Sequence, residues 1–280
     1  MPYLDLPDAR IHYRTRGEGG VPIVFVHGAL CAHEDWNPQF EHFGARQQVV
    51  AVDLRGHGES TVADPNTCSI ETFAADVVAL TRALELPPAV LVGHSMGCRV
   101  VLEAHRQAPE RVAGLVLNDG GRLGQGDPAA AERNLRAEMA AAYGKVMGPL
   151  FESMFNAKSD PKLKERLIRR ALAVPQTVGL AFFPRMIGWD AGRVEEALQK
   201  VRVPMLVLQS TFTNAQRVRV SLEPGADNYW FQVVRQHAPH ADIRIIPGVG
   251  HFTMLEAPEP TCRAIEGLLE KVPTTRPSRR

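Results

Sequence analysis

Gly93-His94-Ser95-Met96-Gly97 follows an apolar run at residues 89–92 and precedes a helix-like stretch, a setting in which a GxSxG pentapeptide presents a nucleophile. A serine alcohol is too weak an acid to attack a carbonyl unaided. It needs a base to take its proton and donors to receive the oxyanion. When a strand turns abruptly into a helix, the residue at the bend is forced into strained dihedrals. Glycines two positions to either side let the two backbones approach there. Ser95 is therefore expected to project from a sheet edge, with the neighbouring His94 turned away from the reacting face and packed.

The flanking elements supply that setting. Residues 21–26 and 48–52 are short apolar runs that read as buried strands, the first ending at His27-Gly28, the second at Asp53 before Arg55-Gly56-His57-Gly58. Over residues 69–86, Phe73, Val77, Leu80 and Leu84 recur at helical spacing, with Ser69 placed to cap. The strand at 89–92 leads to the elbow, a helix is predicted over 96–107 and a strand over 112–118. Such alternation predicts a largely parallel sheet. It stops between Arg122 and Lys200, where Pro149, Pro161, Pro175 and Pro184 divide helical pieces, and Leu163, Leu167, Ala171 and Leu172 mark one amphipathic helix. It resumes with a strand at 205–208, a helix at 229–237, a strand at 242–246 and a helix at 258–270. The organisation is an α/β core of residues 1–121 and 201–280 interrupted by a helical insertion at 122–200.

With 280 residues and 45% hydrophobic composition the chain can bury one large core. Its 32 basic and 31 acidic residues nearly cancel, which removes any global electrostatic case for nucleic acid or an anionic membrane and leaves a small molecule as the expected partner. A basic tail with Lys271, Arg276, Arg279 and Arg280 reads as solvated. Cys31, Cys68, Cys98 and Cys262 form no CxxC pair, so neither a disulfide framework nor a metal site is suggested. No signal-like start and no run of ~20 apolar residues is seen. The expectation is a cytoplasmic protein, monomeric or a small homo-oligomer.

Four segments in order, Val26-His27-Gly28-Ala29, Asp53-Leu54-Arg55-Gly56-His57-Gly58-Glu59-Ser60, the pentapeptide at Ser95, and Gly248-Val249-Gly250-His251-Phe252, resemble the α/β-hydrolase superfamily, in particular its serine esterase and lipase-like branch with a helical cap. The resemblance covers nearly the whole chain outside the insertion. It implies a mostly parallel central sheet flanked by helices, with residues 122–200 as the cap. It further implies Ser95 as nucleophile, His251 as base after the last strand, and the backbone N–H groups of Ala29 and Met96 as oxyanion donors, with no cofactor or metal. Arg55 and His57 look like residues that shape their loop. The acid departs from the commoner pattern. Relatives often carry it in a Gly-x-x-Asp turn after the strand that follows the insertion, where Leu208-Gln209-Ser210-Thr211-Phe212-Thr213 places Thr213. Threonine can neither orient an imidazole as a carboxylate does nor stabilise its cation. The other slot used in this fold, after the strand following the elbow helix, holds Asp119 in Leu117-Asn118-Asp119-Gly120, giving the order Ser, Asp, His; Asp119 as a cap of the turn, and Asp227 as the acid, stay open.

The insertion is dense in Phe151, Met154, Phe155, Phe182, Phe183, Met186 and Trp189. Most are expected to bury the insertion, while Phe151, Phe155, Phe182 and Met186 are candidates to roof the serine, with Trp36 and Cys31 either lining the pocket or packing in the core. Such a roof predicts an apolar acyl or aromatic substrate. The expected activity is carboxylesterase-like hydrolysis of an ester or related acyl compound. Lactone hydrolysis and carbon–carbon bond hydrolysis need the same groups. Cofactor-free ring-cleaving dioxygenases of this fold would use the His–Asp pair without serine attack, and a ligand-binding module would have lost turnover.

Overall fold

The computed structural model describes residues 2–214 and 218–273, so the basic tail beyond Pro273 lies outside the described residues. Along the chain come β1 (Tyr3–Asp5), β2 (Ala9–Arg16), β3 (Ile23–Val26), α1 (Asn37–Gly44), β4 (Val49–Val52), β5 (Thr61–Val62), α2 (Ile70–Ala83), β6 (Ala89–His94), α3 (Met96–Gln107) and β7 (Val112–Asn118). Four helices follow, α4 (Pro128–Glu152), α5 (Pro161–Ala173), α6 (Gln176–Gly192) and α7 (Val194–Lys200). The chain closes with β8 (Met205–Gln209), β9 (Thr211–Thr213), β10 (Arg219–Ser221), α8 (Tyr229–His237), β11 (Asp242–Ile245), α9 (Thr253–Glu256) and α10 (Pro258–Leu269).

The main sheet has the order β1-β2-β4-β3-β6-β7-β8-β11, with β5 on β2. From β4 to β11 every pairing is parallel, as the alternation of the sequence predicts. These strands are continuous apolar runs because helices cover both faces: every residue of β3, β4, β6 and β8 is buried. Helices α1 and α10 pack together on one face, and α2, α3, α7 and α8 contact one another in series on the other. Helix α2 starts at Ser69, whose side chain accepts from Thr72 N while Thr72 Oγ1 accepts from Ser69 N.

The chain passes from β3 to β4 on one side and then crosses to β6 on the other. A crevice therefore opens at the carboxyl ends of these strands, where ligands bind in folds of this kind. The loops after β3, β6 and β7 carry residues 27–29, Ser95 and Asp119 to that edge.

Two regions were not anticipated as strands. The antiparallel β1-β2-β5 edge hides behind Arg10, His12, Arg14 and Arg16, which interrupt any apolar run, yet β2 is antiparallel to β4 over Tyr13–Arg16 and extends the sheet. The β9–β10 hairpin pairs Thr211 with Ser221 and Thr213 with Arg219. Residues 122–200 form no strand, as expected. Within them α4 packs on α5 and α6, and α4 bends where Ala142 leaves helical geometry (φ −155°, ψ 35°). The last helix, α7, lies against α3 and α8, so the end of this segment packs with the layered core. No helix among the described residues is long and apolar enough to cross a membrane.

Candidate active site

The elbow is built from backbone contacts. Ser95 sits between β6 and α3 at φ 53°, ψ −112°, and its N–H donates to Asn118 O at 3.0 Å. A Cβ at Gly93 would lie 2.2 Å from Gly97 O, and one at Gly97 would lie 2.6 Å from Val26 O and 2.7 Å from His27 O. Neither position can carry a side chain without moving a strand. Leu30 and Asp119 also hold positive φ, 55° and 50°, so three of the four such described non-glycine residues lie around this crevice. Backbone strain concentrated at one place marks a geometry the surroundings over-determine.

His251 comes from the loop after β11 and is buried. Its Nδ1 lies 2.5 Å from Asp119 Oδ2, and its buried Nε2 has no partner among the described residues. The carboxylate fixes the Nδ1–H tautomer, leaving the Nε2 lone pair free to accept a proton. Asp119 is itself fully engaged. Oδ1 accepts from Ser210 N at 2.7 Å, Ser210 Oγ at 3.1 Å and Thr211 N at 2.9 Å, and Oδ2 accepts from Thr211 Oγ1 at 2.5 Å. Burial alone would raise its pKa, but the hydrogen bond and charge of His251, with Arg219 and Thr211, hold it below the ordinary carboxylate value. Asp119 thus occupies the second of the two slots read from the sequence. The runner-up Asp227 is half exposed and pairs with Arg235 at 2.7 Å on the surface.

Arg219 was not anticipated. It stands opposite Thr213 in the β9–β10 ladder, and its Nη1 lies 3.0 Å from His251 Nδ1, 2.9 Å from Thr211 Oγ1 and 3.9 Å from Asp119 Oδ2. Burial first, and this guanidinium second, push the His251 imidazole down to about 4. Sequence reading marked the region through Thr213 but carried no signal that a cation beyond the tip of a hairpin would fold back onto the imidazole.

The loop after β3 is pinned by His27. Its Nε2 accepts from Leu54 N at 3.0 Å, so Nδ1 carries the proton and donates to Gly28 O at 2.7 Å; burial holds the ring neutral, down to about 3. Neither Ala29 N nor Met96 N donates to another group among the described residues, as suits amides free to meet an oxyanion. His94 is buried as expected, and its Nε2 donates to His251 O at 3.0 Å, which ties the elbow to the loop that carries His251. Arg55 forks onto Asp76 at 2.7 Å and reaches Asp8, and His57 Nδ1 donates to Arg55 O, so both shape their loop.

Ser95, Asp119 and His251 open onto one cavity of about 130 Å³, lined also by Arg99, Arg122, Arg219, Thr213, Tyr229 and Trp230. This corrects the expected apolar roof. Trp36 is wholly buried and stacks on Phe25 at 5.1 Å; Phe155 stacks on Phe252 at 5.2 Å. Phe182 stacks on Phe183 at 4.4 Å and touches His57 and Phe73, while Phe151 and Met186 are buried in the core cluster. The rings of α4 and α6 bury these helices against one another and against the core. Arg99, in the first turn of α3, forks onto Asp190 of α6 with both contacts at 2.7 Å and donates to Ser95 O at 3.2 Å, fastening the insertion to the elbow helix.

One group among the described residues has ligand atoms close enough for a metal ion, the buried His12, His33 and Asp53. Asp53 there accepts from both Nδ1 atoms, at 2.8 and 2.9 Å, and from His33 N and Glu59 N. Its lone pairs are spent on the loops, and a Cβ at Gly58 would lie 2.3 Å from it, which accounts for that glycine at φ 54°.

The sequence profile described as "Alpha/beta hydrolase family" matches residues 23–264. The chain is 24% identical over 264 residues, 94% of its length and 95% of the other's, to (E)-2-((N-methylformamido)methylene)succinate hydrolase of Acinetobacter baylyi. It is 30% identical over 273 residues to the dihydrolipoyllysine-residue acetyltransferase component of the acetoin cleaving system of Pseudomonas putida, covering 92% of this chain but only 66% of that protein. Among solved structures, an N-acyl homoserine lactone degrading enzyme superposes with a TM-score of 0.79 at 26% identity over 95% of this chain and 99% of its own. A thermophilic esterase from Thermogutta terrifontis, malate bound, reaches 0.81 at 23% identity over 98% and 100%, a likeness of fold. With the profile running from β3 into α10, across the elbow and every loop that meets it, the chain belongs to the alpha/beta hydrolase family.

Proposed function

We propose that the protein is a serine hydrolase that cleaves a carboxylic ester or related acyl compound through an acyl-enzyme, with no cofactor. Ser95 Oγ attacks the carbonyl carbon, and His251 Nε2 takes its proton and returns it to the leaving alcohol. Asp119 holds the imidazole and offsets the charge it gains. The N–H groups of Met96 and Ala29 receive the oxyanion, each worth ~10²–10³ in kcat. Water then cleaves the acyl-enzyme with the same base.

The observation that carries this reading is the 2.5 Å contact from His251 Nδ1 to a buried, hydrogen-bonded Asp119, set beside a serine held at φ 53°. The carboxylate absent at Thr213 comes from the end of β7 instead, so a base, its acid and a strained serine stand together, which supports turnover over a binding module. The small cavity with its charged walls supports a compact acyl substrate over the large apolar one suggested by the aromatic residues. The N-acyl homoserine lactone degrading enzyme, and a 3-oxoadipate enol-lactonase of Acinetobacter baylyi that is 23% identical over 271 residues, support ester or lactone chemistry. The buried free thiols support a reducing compartment, the cytoplasm.

Fluorophosphonate labelling tests the nucleophile, because only an activated serine reacts. Label is expected on Ser95 in the wild type, with none in Ser95→Ala and little in His251→Ala. Folded wild type that takes no label sinks the reading. Turnover that survives Ser95→Ala, fails in His251→Ala and consumes oxygen would favour the dioxygenase reading.

A further inference from the structure

Three arginines reach the cavity beside Ser95, and they are not equivalent. Arg99 has each of its three nitrogens engaged, by the fork onto Asp190 and by Ser95 O, and its charge is matched by the buried carboxylate at 2.7 Å. Arg122 is held by Glu195, by Tyr229 Oη at 3.1 Å and by Gly124 O at 3.2 Å. Both are parts of the wall. Arg219 is different. Its side chain is only 14% exposed, yet among the described residues Thr211 Oγ1 is the one acceptor its Nη1 finds, and its buried Nε has no partner. The approach to His251 Nδ1 at 3.0 Å cannot be a hydrogen bond while that nitrogen's single proton is donated to Asp119, because a guanidinium offers only donors. Asp119 gives it charge at 3.9 Å but no hydrogen bond, since both carboxylate oxygens are occupied from other directions.

We propose that Arg219 is an anion subsite: it receives a carboxylate carried by the substrate at a short distance from the ester or lactone that Ser95 attacks. This rests on the serine hydrolase reading above. A guanidinium with unused N–H donors on a cavity wall is matched by a carboxylate, which accepts from two of them in one plane. The cavity of about 130 Å³ holds Arg219, Ser95 and His251 together, so the anion and the reacting carbonyl must be separated by a few bonds only. Charge gives the subsite a second effect. The guanidinium beside the imidazole opposes the imidazolium that forms during acyl transfer, since Asp119 at 3.9 Å is shared between the two cations. A bound carboxylate offsets that opposition, so the anionic group assists the chemical step as well as binding. A neutral ester leaves the opposition in place.

Methyl hydrogen succinate and dimethyl succinate present the same ester with and without the anion. Wild type is expected to favour the anionic ester in kcat/KM by roughly 10- to 100-fold, the range for a hydrogen bond to a charged group. In Arg219→Gln that ratio is expected to fall to near one, and in Arg219→Lys to recover in part. A wild-type ratio at or below one overturns the subsite, as does an Arg219→Gln variant that slows both esters equally, the signature of a purely structural role. Succinate itself, titrated by calorimetry, gives a readout without turnover. Binding to the wild type that is lost in Arg219→Gln supports the subsite, and equal or absent binding in both overturns it. Failure of Ser95 to label with a fluorophosphonate while succinate still binds through Arg219 would instead remove the hydrolase reading and keep the subsite.

Discussion

The elbow and the acid corner are built by opposite means. At the elbow, the residues that matter lie within a few positions of one another, and the shape is set by what is missing: side chains at Gly93 and Gly97 that would strike Gly97 O and Val26 O. At the acid corner, Asp119, Ser210, Thr211, Arg219 and His251 come from separate strands and loops, and the arrangement is set by hydrogen bonds and charge. The first tolerates no added volume. The second tolerates no lost acceptor.

The largest expected effect lies in the acid corner. Asp119→Asn keeps the volume but removes the charge and lets an amide face Nδ1, so kcat is expected to drop by about 10⁴. Asp227→Asn, on the surface, is expected to change it by less than about twofold. Steady-state turnover of a nitrophenyl ester compares the two, and a deep loss confined to Asp227→Asn would reverse the assignment.

A methyl group should break the elbow instead. Gly97→Ala must displace the end of β3, and about 1–3 kcal/mol of destabilisation is expected, read as a lowered urea midpoint. Gly144→Ala in α4, where a Cβ meets nothing within 4 Å, is expected to stabilise by about 0.5–1 kcal/mol. If both substitutions behave alike, volume is not what sets the elbow.

The smallest effect is a shift along the pH axis. His251 must be neutral in the free enzyme to accept a proton, and its pKa is pushed down to about 4 by burial and then by Arg219. The acid limb of kcat/KM should therefore fall near pH 4, well below the value of a free imidazole. Removing the cation in Arg219→Gln makes protonation easier, so the limb should move up. An unmoved or lowered limb would separate Arg219 from the imidazole.

The fold was legible wherever apolar runs alternate with helical periodicity: α3, α8 and β7 occupy the expected residues, and Ser69 caps α2 as read. The strands that escaped, β1, β2, β5, β9 and β10, are edge or hairpin strands whose polar faces meet solvent or charge, leaving no apolar run to find. At the proposed site, Ser95 and His251 are read from motif and order. Asp119 is one of two slots in the sequence, and it is the one whose carboxylate lies against the His251 imidazole. The aromatic residues of the insertion misled because apolar content reports burial without saying against what. Phe182 buries itself on Phe73 and His57, and Trp36 on Phe25.

What the sequence determined by itself is what short-range sterics dictate: the strand, the glycines and the strained serine of the elbow, and the strands that carry its partners to one edge. What only the tertiary structure decided is which distant side chains meet there. Asp119 and Arg219 lie far apart along the chain, and their placement on His251 depends on the pairing of β7 with β8 and on the β9–β10 hairpin. Hydrogen bonds and charges act over a few ångströms of space. Until the chain has folded, nothing along it records that nearness.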